Sequence, residues 1–464
     1  MKRALKVLFT LAVFAGLLWL LCSVAMSGCS TVTEIMNGAS YGEVFDAVHD
    51  DIFGVGSQIC STVEISLPSN SAYKAIDGKS CYESLTTDAQ REAYKNIEKS
   101  IFSVTPNGGG KYGRYELTRA SLPKLSSAEI FKVKEAVLCD HPEAFWVTGH
   151  YTLGSNMHDG SYIILYSAYS YDDIMKYSRQ LERSVADALR KIPSGLSEFD
   201  RELRVHDYVV SSADYDVEAA EKVNDGFTEA STSYGVIVGK KGICGGYALA
   251  TKLLLNRLGI ECSVIKGVSK DTGHMWNIVT IEGEQYHLDV TWDDPINAGE
   301  GGSPDMISYF YFNLTDELIS ADHEIAGGYE LLTDEVIAAQ DEESLNFYNF
   351  PYGGCTSMKA NYFEIFAVRL NELGKDAKSR VAKEMKERTV SGERVMYFMF
   401  PDEMENSVIE SWLDPVLSSS WTAANKYAKS NGGHRIRSCT RSVFSEEGPK
   451  HWSRLYCVVL TFDK

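Results

Sequence analysis

At 464 residues and 51.5 kDa the chain exceeds what one ordinary core holds, so two or three domains are expected and a large core is readily buried. A composition of 44% hydrophobic and 23% charged residues, with only 11 prolines, excludes long disordered tracts. The formal charge of -19 argues against non-specific nucleic-acid binding, although it selects no substrate.

Lys2, Arg3 and Lys6 precede an uncharged apolar run over residues 7–26, the pattern of an export signal or a membrane anchor. The run closes on Met26-Ser27-Gly28-Cys29-Ser30, which resembles a bacterial lipobox with Met26 in place of the usual leucine and Cys29 as the lipid acceptor. Residues 1–28 are therefore expected to be a lipoprotein signal, an uncleaved helical anchor or a secretion signal. Each alternative puts the chain beyond Ser30 outside the cytoplasm, and the first two hold it at the membrane.

No CxxC pair occurs, so neither a zinc ribbon nor a thioredoxin-type motif is supported. Apart from Cys244, the cysteines beyond Cys29 are Cys60, Cys81, Cys139, Cys262, Cys355, Cys439 and Cys457, an odd set that cannot all pair. Cys60 with Cys81, or Cys439 with Cys457, are near enough in sequence to be candidate bridges.

Residues 29–170 read as a mixed α+β region. A helix is expected over 88–101, with Tyr94, Ile97 and Ile101 at helical spacing, and a loop at Asn107-Gly108-Gly109-Gly110. Ser126 and Glu129 form a capping box before a second helix, and Ile163-Ile164-Leu165-Tyr166 reads as a strand. Residues 171–192 are helical, and Pro193-Ser194-Gly195 separates them from a helix ending near Ser211. His206, on that helix, is more simply a packed side chain than a ligand.

Within 171–332, Cys244 opens a helix with an apolar stripe of Tyr247, Ala250, Leu254 and Leu258, and Gly259 stands at its C-terminal cap. Unpaired backbone NH groups and the positive end of the helix dipole converge there, an environment that favours a thiolate. Gly245 and Gly246 are poor helix formers in the first turn, which points to close approach by another backbone or by substrate.

Residues 274–281 and 284–292 alternate as two strands around a two-residue Glu282-Gly283 turn. If Ile281 pairs with Glu284, Trp276 lies opposite Asp289 and His274 becomes its diagonal neighbour on the same face. Cys244 would then attack a carbonyl carbon, His274 would shuttle the proton and Asp289 would orient the imidazole. His287 is the competing histidine. Asp293 and Asp294 read as turn residues or a hydrogen-bonding rim. Cys244, His274 and Asp289 are a rare ligand mix for zinc, no calcium loop occurs, and neither metal nor cofactor is expected.

Gly242-Ile243-Cys244-Gly245-Gly246-Tyr247-Ala248, Gly273-His274-Met275-Trp276-Asn277 and Tyr286-His287-Leu288-Asp289-Val290-Thr291-Trp292, in that order, resemble the bacterial transglutaminase-like superfamily. The resemblance spans roughly residues 200–324 and implies a papain-like core, hence an α+β chain, with Cys244, His274 and Asp289 as its triad. Asp214-Tyr215-Asp216 and Tyr309-Phe310-Tyr311-Phe312-Asn313 resemble structural landmarks of the family. Residues 140–146 are similar to a stretch found upstream of this domain in bacterial surface proteins. Val238 stands where papain-like peptidases carry an oxyanion glutamine, and no tryptophan lies between Trp146 and Trp276 to replace it as in animal transglutaminases. The oxyanion hole then rests on the Cys244 NH and a second donor. Tyr234, Gly245 and Trp276 are candidates to complete it or to line the substrate.

Residues 333–464 read as a separate small α/β domain, with strands over 362–368, 394–400 and 456–462, a helix over 376–388, and a helical stretch over 407–430 interrupted at Pro415. The leading expectation is an extracytoplasmic thiol enzyme acting on amide carbonyls of a protein or peptide, through a thioester resolved by water or by an amine. The alternative is a surface-anchored binding or scaffolding protein whose transglutaminase-like core does not turn over.

Overall fold

The computed structural model describes residues 61–104, 115–156, 160–222, 227–294, 307–339, 348–443, 452 and 454–463. The apolar run over 7–26, Cys29, Cys60 and the glycine loop over 107–110 lie outside the described residues. No helix among the described residues is long and apolar enough to cross a membrane. Two compact units divide the chain: the first draws on Lys79–Arg183 and Leu332–Asp341, the second on Pro68–Gly78, Ser184–Leu331 and Glu342–Lys464.

In the first unit, helix Asp88–Ile101 starts where the Thr87 side chain accepts from the Gln90 NH, and it buries Tyr94, Ile97 and Ile101 as their spacing predicts. Helix Ser127–Asp140 opens on the complete Ser126–Glu129 capping box. Strands Val147–Asn156 and Gly160–Ser167 form an antiparallel pair, extended across the second strand by Ala120–Leu122. Asp140 accepts the backbone NH groups of Cys81 and Tyr82, while His141 lies 2.9 Å from Glu98 and 2.8 Å from Glu143. The residues after Asp140 thus knot two helices together.

The second unit is built around helix Cys244–Arg257, which is buried on all faces rather than along one stripe. Even Lys252 is fully buried, its ammonium donating to the Gly78 carbonyl at 2.9 Å. Gly259, with φ of 79°, ends the helix in the left-handed region. The helix packs on an antiparallel sheet ordered Glu284–Leu288, Thr272–Ile281, Cys262–Ser269, His323–Ile325. Glu282 and Gly283 both have positive φ, 51° and 81°, as a tight hairpin turn requires, and Ile281 pairs with Glu284. The returning strand stops at Leu288 instead of running to Trp292, because the Asp289 carboxylate takes the NH groups of Thr291 and Trp292 and turns the chain.

A second four-stranded sheet is ordered Val368–Arg369, Val395–Met399, Leu455–Phe462, Ile436–Val443. One cluster of buried side chains, including Trp276, Ile278, Phe363, Tyr397 and Cys457, joins this sheet to the one carrying His274. Three expectations here are corrected. Tyr362–Phe366 is a helical turn and not a strand, because the buried Asn361 side chain accepts from the NH groups of Phe363 and Glu364. Helix Asn406–Asn431 runs through Pro415 without interruption. Ser411, whose carbonyl Pro415 leaves without its helical donor, is an exposed residue, while Leu413, Val416 and Leu417 stay buried. Strand Ile436–Val443 was not anticipated. It sets Cys439 opposite Leu460 and Cys457 opposite Ser442, three rungs apart and about 10 Å, so the two cysteines do not bridge. Cys439 and Cys457 are both free thiols.

Candidate active site

Cys244 occupies the first position of its helix and is half-buried. The Ile243 NH is held by the Ala230 carbonyl at 2.9 Å, and the first intrahelical bond is donated by Tyr247 to Ile243. First-turn NH groups at Cys244 and Gly245 therefore have no acceptor within the helix. A Cβ on Gly246 would fall 2.2 Å from the Ala230 carbonyl oxygen, so the expected close approach is by backbone, and glycine is required.

His274 reaches the site from strand Thr272–Ile281, and Asp289 from the turn that follows its hairpin partner. The His274 Nε2 lies 2.6 Å from Asp289 Oδ2, with both side chains buried. An ionised carboxylate only accepts, so Nε2 carries hydrogen and Nδ1 is left for the Cys244 thiol, which is close enough to add to the proton affinity of the ring. Burial opposes the charged ring. The Asp289 charge and hydrogen bond outweigh it, with help from Cys244, and raise the imidazole to about 10. Asp289 is held well below the ordinary carboxylate range, its burial overcome by the charge and hydrogen bonds of His274 and His323.

Asp289 is saturated. Oδ1 accepts from the NH groups of Thr291 and Trp292 at 3.0 and 3.1 Å, and Oδ2 faces both His274 and, at 3.1 Å, the Nε2 of His323. No sequence signal distinguished His323, which arrives from an edge strand beyond the expected motifs. His274, Asp289 and His323 offer ligand atoms within 4.8 Å of one another. The 2.6 Å separation is that of a charge-assisted hydrogen bond, and a cation there would take the imidazole that the thiol needs.

The competing His287 is placed elsewhere. Its Nδ1 accepts the Trp276 indole NH at 2.9 Å, which puts its own hydrogen on Nε2, 2.8 Å from Asp316 Oδ1. Burial lowers its proton affinity, consistent with a neutral ring. Trp276 is 1% exposed with its NH spent on His287, and its ring stacks on His274 at 5.8 Å. It supports the histidine and offers neither an oxyanion donor nor a substrate wall. Tyr234 is buried beside the turn Gly235–Gly239, and Gly245 is buried in the first turn of its helix. Tyr215, anticipated only as a landmark, pairs with Gly242 next to the cysteine. Burial and then the charges of Cys244 and Asp289 raise its phenol to about 12, so it stays protonated beside the thiol.

Asp293 lies in the expected turn but is fully buried, with the fully buried His206 at 3.2 Å and the Tyr311 NH at 3.1 Å. His206 is thus a packed side chain with a partner. Burial opposes its charge, and Asp207 and Asp293 raise it to about 9.

Residues 183–299 match the family model described as a transglutaminase-like domain. The mouse (Mus musculus) kyphoscoliosis peptidase is 26% identical over 156 residues, which cover 31% of this chain and 23% of that protein. The chain therefore spans about a quarter of the length of that curated relative. Among solved structures, a TGase is 16% identical with a TM-score of 0.23 and coverage of 42% of this chain and 56% of that one. A candidate cysteine protease from Cytophaga hutchinsonii is 13% identical with a TM-score of 0.21, covering 32% and 63%. The chain is α+β, and the domain match falls on the helix that begins with Cys244 and the sheet that carries His274, making this core transglutaminase-like.

Proposed function

We propose that the protein is a thiol enzyme that transfers acyl groups from amide carbonyls of a protein or peptide through a Cys244 thioester. The observation that carries the reading is the buried 2.6 Å bond between His274 and Asp289, with the second nitrogen of His274 left for a thiol at a helix start. Cys244 Sγ bonds to the carbonyl carbon, and its proton resides on His274 Nδ1. The C–N bond breaks as that proton passes to the leaving amine. Water or an amine then attacks the thioester, giving its proton to His274, and thiol is restored with release of an acid or a new amide. First-turn NH groups at Cys244 and Gly245, with the protonated Tyr215 phenol, are the donors proposed for the oxyanion.

The test incubates the full chain with a fluorescent primary amine and a glutamine-bearing protein, and in parallel with a peptide library read by mass spectrometry. Cleavage or amine incorporation lost in Cys244→Ala supports the reading; neither product, or activity persisting in that variant, overturns it. The same proposal sets the enzyme outside the cytoplasm on a lipid at Cys29, motivated by the apolar run over 7–26. Mass spectrometry of the mature N-terminus tests this, and an unmodified N-terminus at Met1 rejects the lipid.

A further inference from the structure

His323 stands where the thiol centre meets a second carboxylate. Its Nε2 lies 3.1 Å from Asp289 Oδ2, and its Nδ1 lies 2.6 Å from Asp322 Oδ1. The other Asp322 oxygen accepts the Tyr311 hydroxyl at 2.5 Å. Both ring nitrogens therefore face acceptors, and both bonds form together only if each nitrogen carries hydrogen, which makes the ring an imidazolium. The other titratable groups around it are His274, with ring centroids 5.3 Å apart, Tyr311 at 5.4 Å, and His287 within electrostatic reach. Trp276 and Trp292 pack on the ring at 5.1 and 6.0 Å and keep water away. The approach of its strand depends on Gly267, where a Cβ would meet the Glu324 carbonyl oxygen at 2.1 Å.

We propose that His323 is a positioning residue for the thiol centre, a charged imidazolium that holds Asp289 Oδ2 toward His274 and divides the carboxylate's negative charge between two rings. The inference rests on the thiol-enzyme reading for its purpose and on the hydrogen bonds for its content. A carboxylate shared with a second cation binds the His274 imidazolium less tightly than one devoted to it. His274 then parts more readily with the proton that the leaving amine needs. Consistent with this, burial opposes the charge on His323, and the bonds to Asp289 and Asp322 overcome it and raise its proton affinity.

Two measurements on the full chain test the proposal. With 15N-labelled histidine, the His323 ring should show hydrogen on both nitrogens at pH 7, and a neutral ring overturns the inference without any variant having to fold. Iodoacetamide labelling of Cys244, followed by mass spectrometry, gives a pH profile. His323→Gln keeps a hydrogen-bond donor and removes the charge, so the profile should move up by about half a pH unit or more. Asp322→Asn, which removes the anion facing Nδ1, should move it the same way. Profiles that superpose on the unmodified protein, or move down, overturn the proposal. Failure of Cys244 to label in the folded protein at any pH would instead sink the thiol-enzyme reading and leave the nitrogen signals to stand alone.

Discussion

Each of the three residues of the proposed triad is held by a different local device: Cys244 by a helix start, His274 by a strand, and Asp289 by two backbone NH groups. Replacing Asp289 with Asn puts an amide NH2 or a weaker acceptor against His274 Nε2 and disturbs the tautomer that leaves Nδ1 free. Amide turnover is expected to fall about 10²–10⁴-fold with the fold retained, measured as kcat/KM beside a thermal melt. A variant within threefold of the original would remove Asp289 from the mechanism. Trp276→Phe tests the supporting role of the indole: losing its bond strands the buried His287 Nδ1 and should cost about 1–3 kcal/mol in urea denaturation. At this scale the placement of Cys244 at a helix start and of His274 beside Asp289 was readable in the sequence, because each sits in a stretch whose local pattern announces it. It was silent on His323 and misread the indole of Trp276, since both are defined by partners distant along the chain.

Among the elements, the helix and hairpin of the site follow from local rules, and two positions expose the forces behind them. Gly246→Ala would drive a methyl group to 2.2 Å from a carbonyl oxygen. The helix start must then shift, and we expect a loss of about 1–3 kcal/mol in stability with a disproportionate loss of Cys244 labelling. Unchanged labelling would show that the helix start tolerates the shift. Pro415→Ala restores a helical NH on an exposed face and should raise the urea midpoint by an amount worth about 1–3 kcal/mol, with the slope unchanged. Proline ought to interrupt this helix by local propensity. Burial of the flanking Leu413, Val416 and Leu417 outweighs that cost, a balance invisible from residues 407–430 alone. The helical turn Tyr362–Phe366 was missed for the mirror-image reason, a local cap fixed by a buried asparagine that itself binds the Phe312 and Asn313 carbonyls.

Over the whole molecule, buried ionisable groups predict the response to pH. His141 and His206 are raised from 6.5 to about 9, and His274 to about 10, in each case by neighbouring carboxylates that overcome burial. A base with a raised folded value contributes stability that is complete below about 6.5 and is withdrawn as pH rises through 9 to 10. Glu202, raised by burial from 4.5 to about 8, acts in the same direction but earlier: the unfolded chain ionises first, so its contribution is withdrawn from about pH 4.5 up to about 8. On the acid side, hydrogen bonding from His141 lowers Glu98 to about 2, and that contribution disappears as pH falls from about 4.5 toward 2. Denaturant midpoints should therefore peak near pH 4.5–5, fall toward acid, and fall toward alkali gently at first and more steeply above about pH 6.5. His206→Gln should flatten the alkaline fall, and a flat alkaline profile in the unmodified protein would reject the assignment.

Local forces alone account for the capped helices, for a hairpin whose register follows from a two-residue turn, and for a cysteine, histidine and aspartate in motif order, and these are legible in short stretches of chain. That a second histidine shares the Asp289 carboxylate, and that Trp276 faces His287 instead of an oxyanion, emerge only with the fold. Those outcomes depend on hydrogen bonds between residues far apart in the chain and on burial that leaves each polar atom one available partner, and neither is encoded in any short stretch.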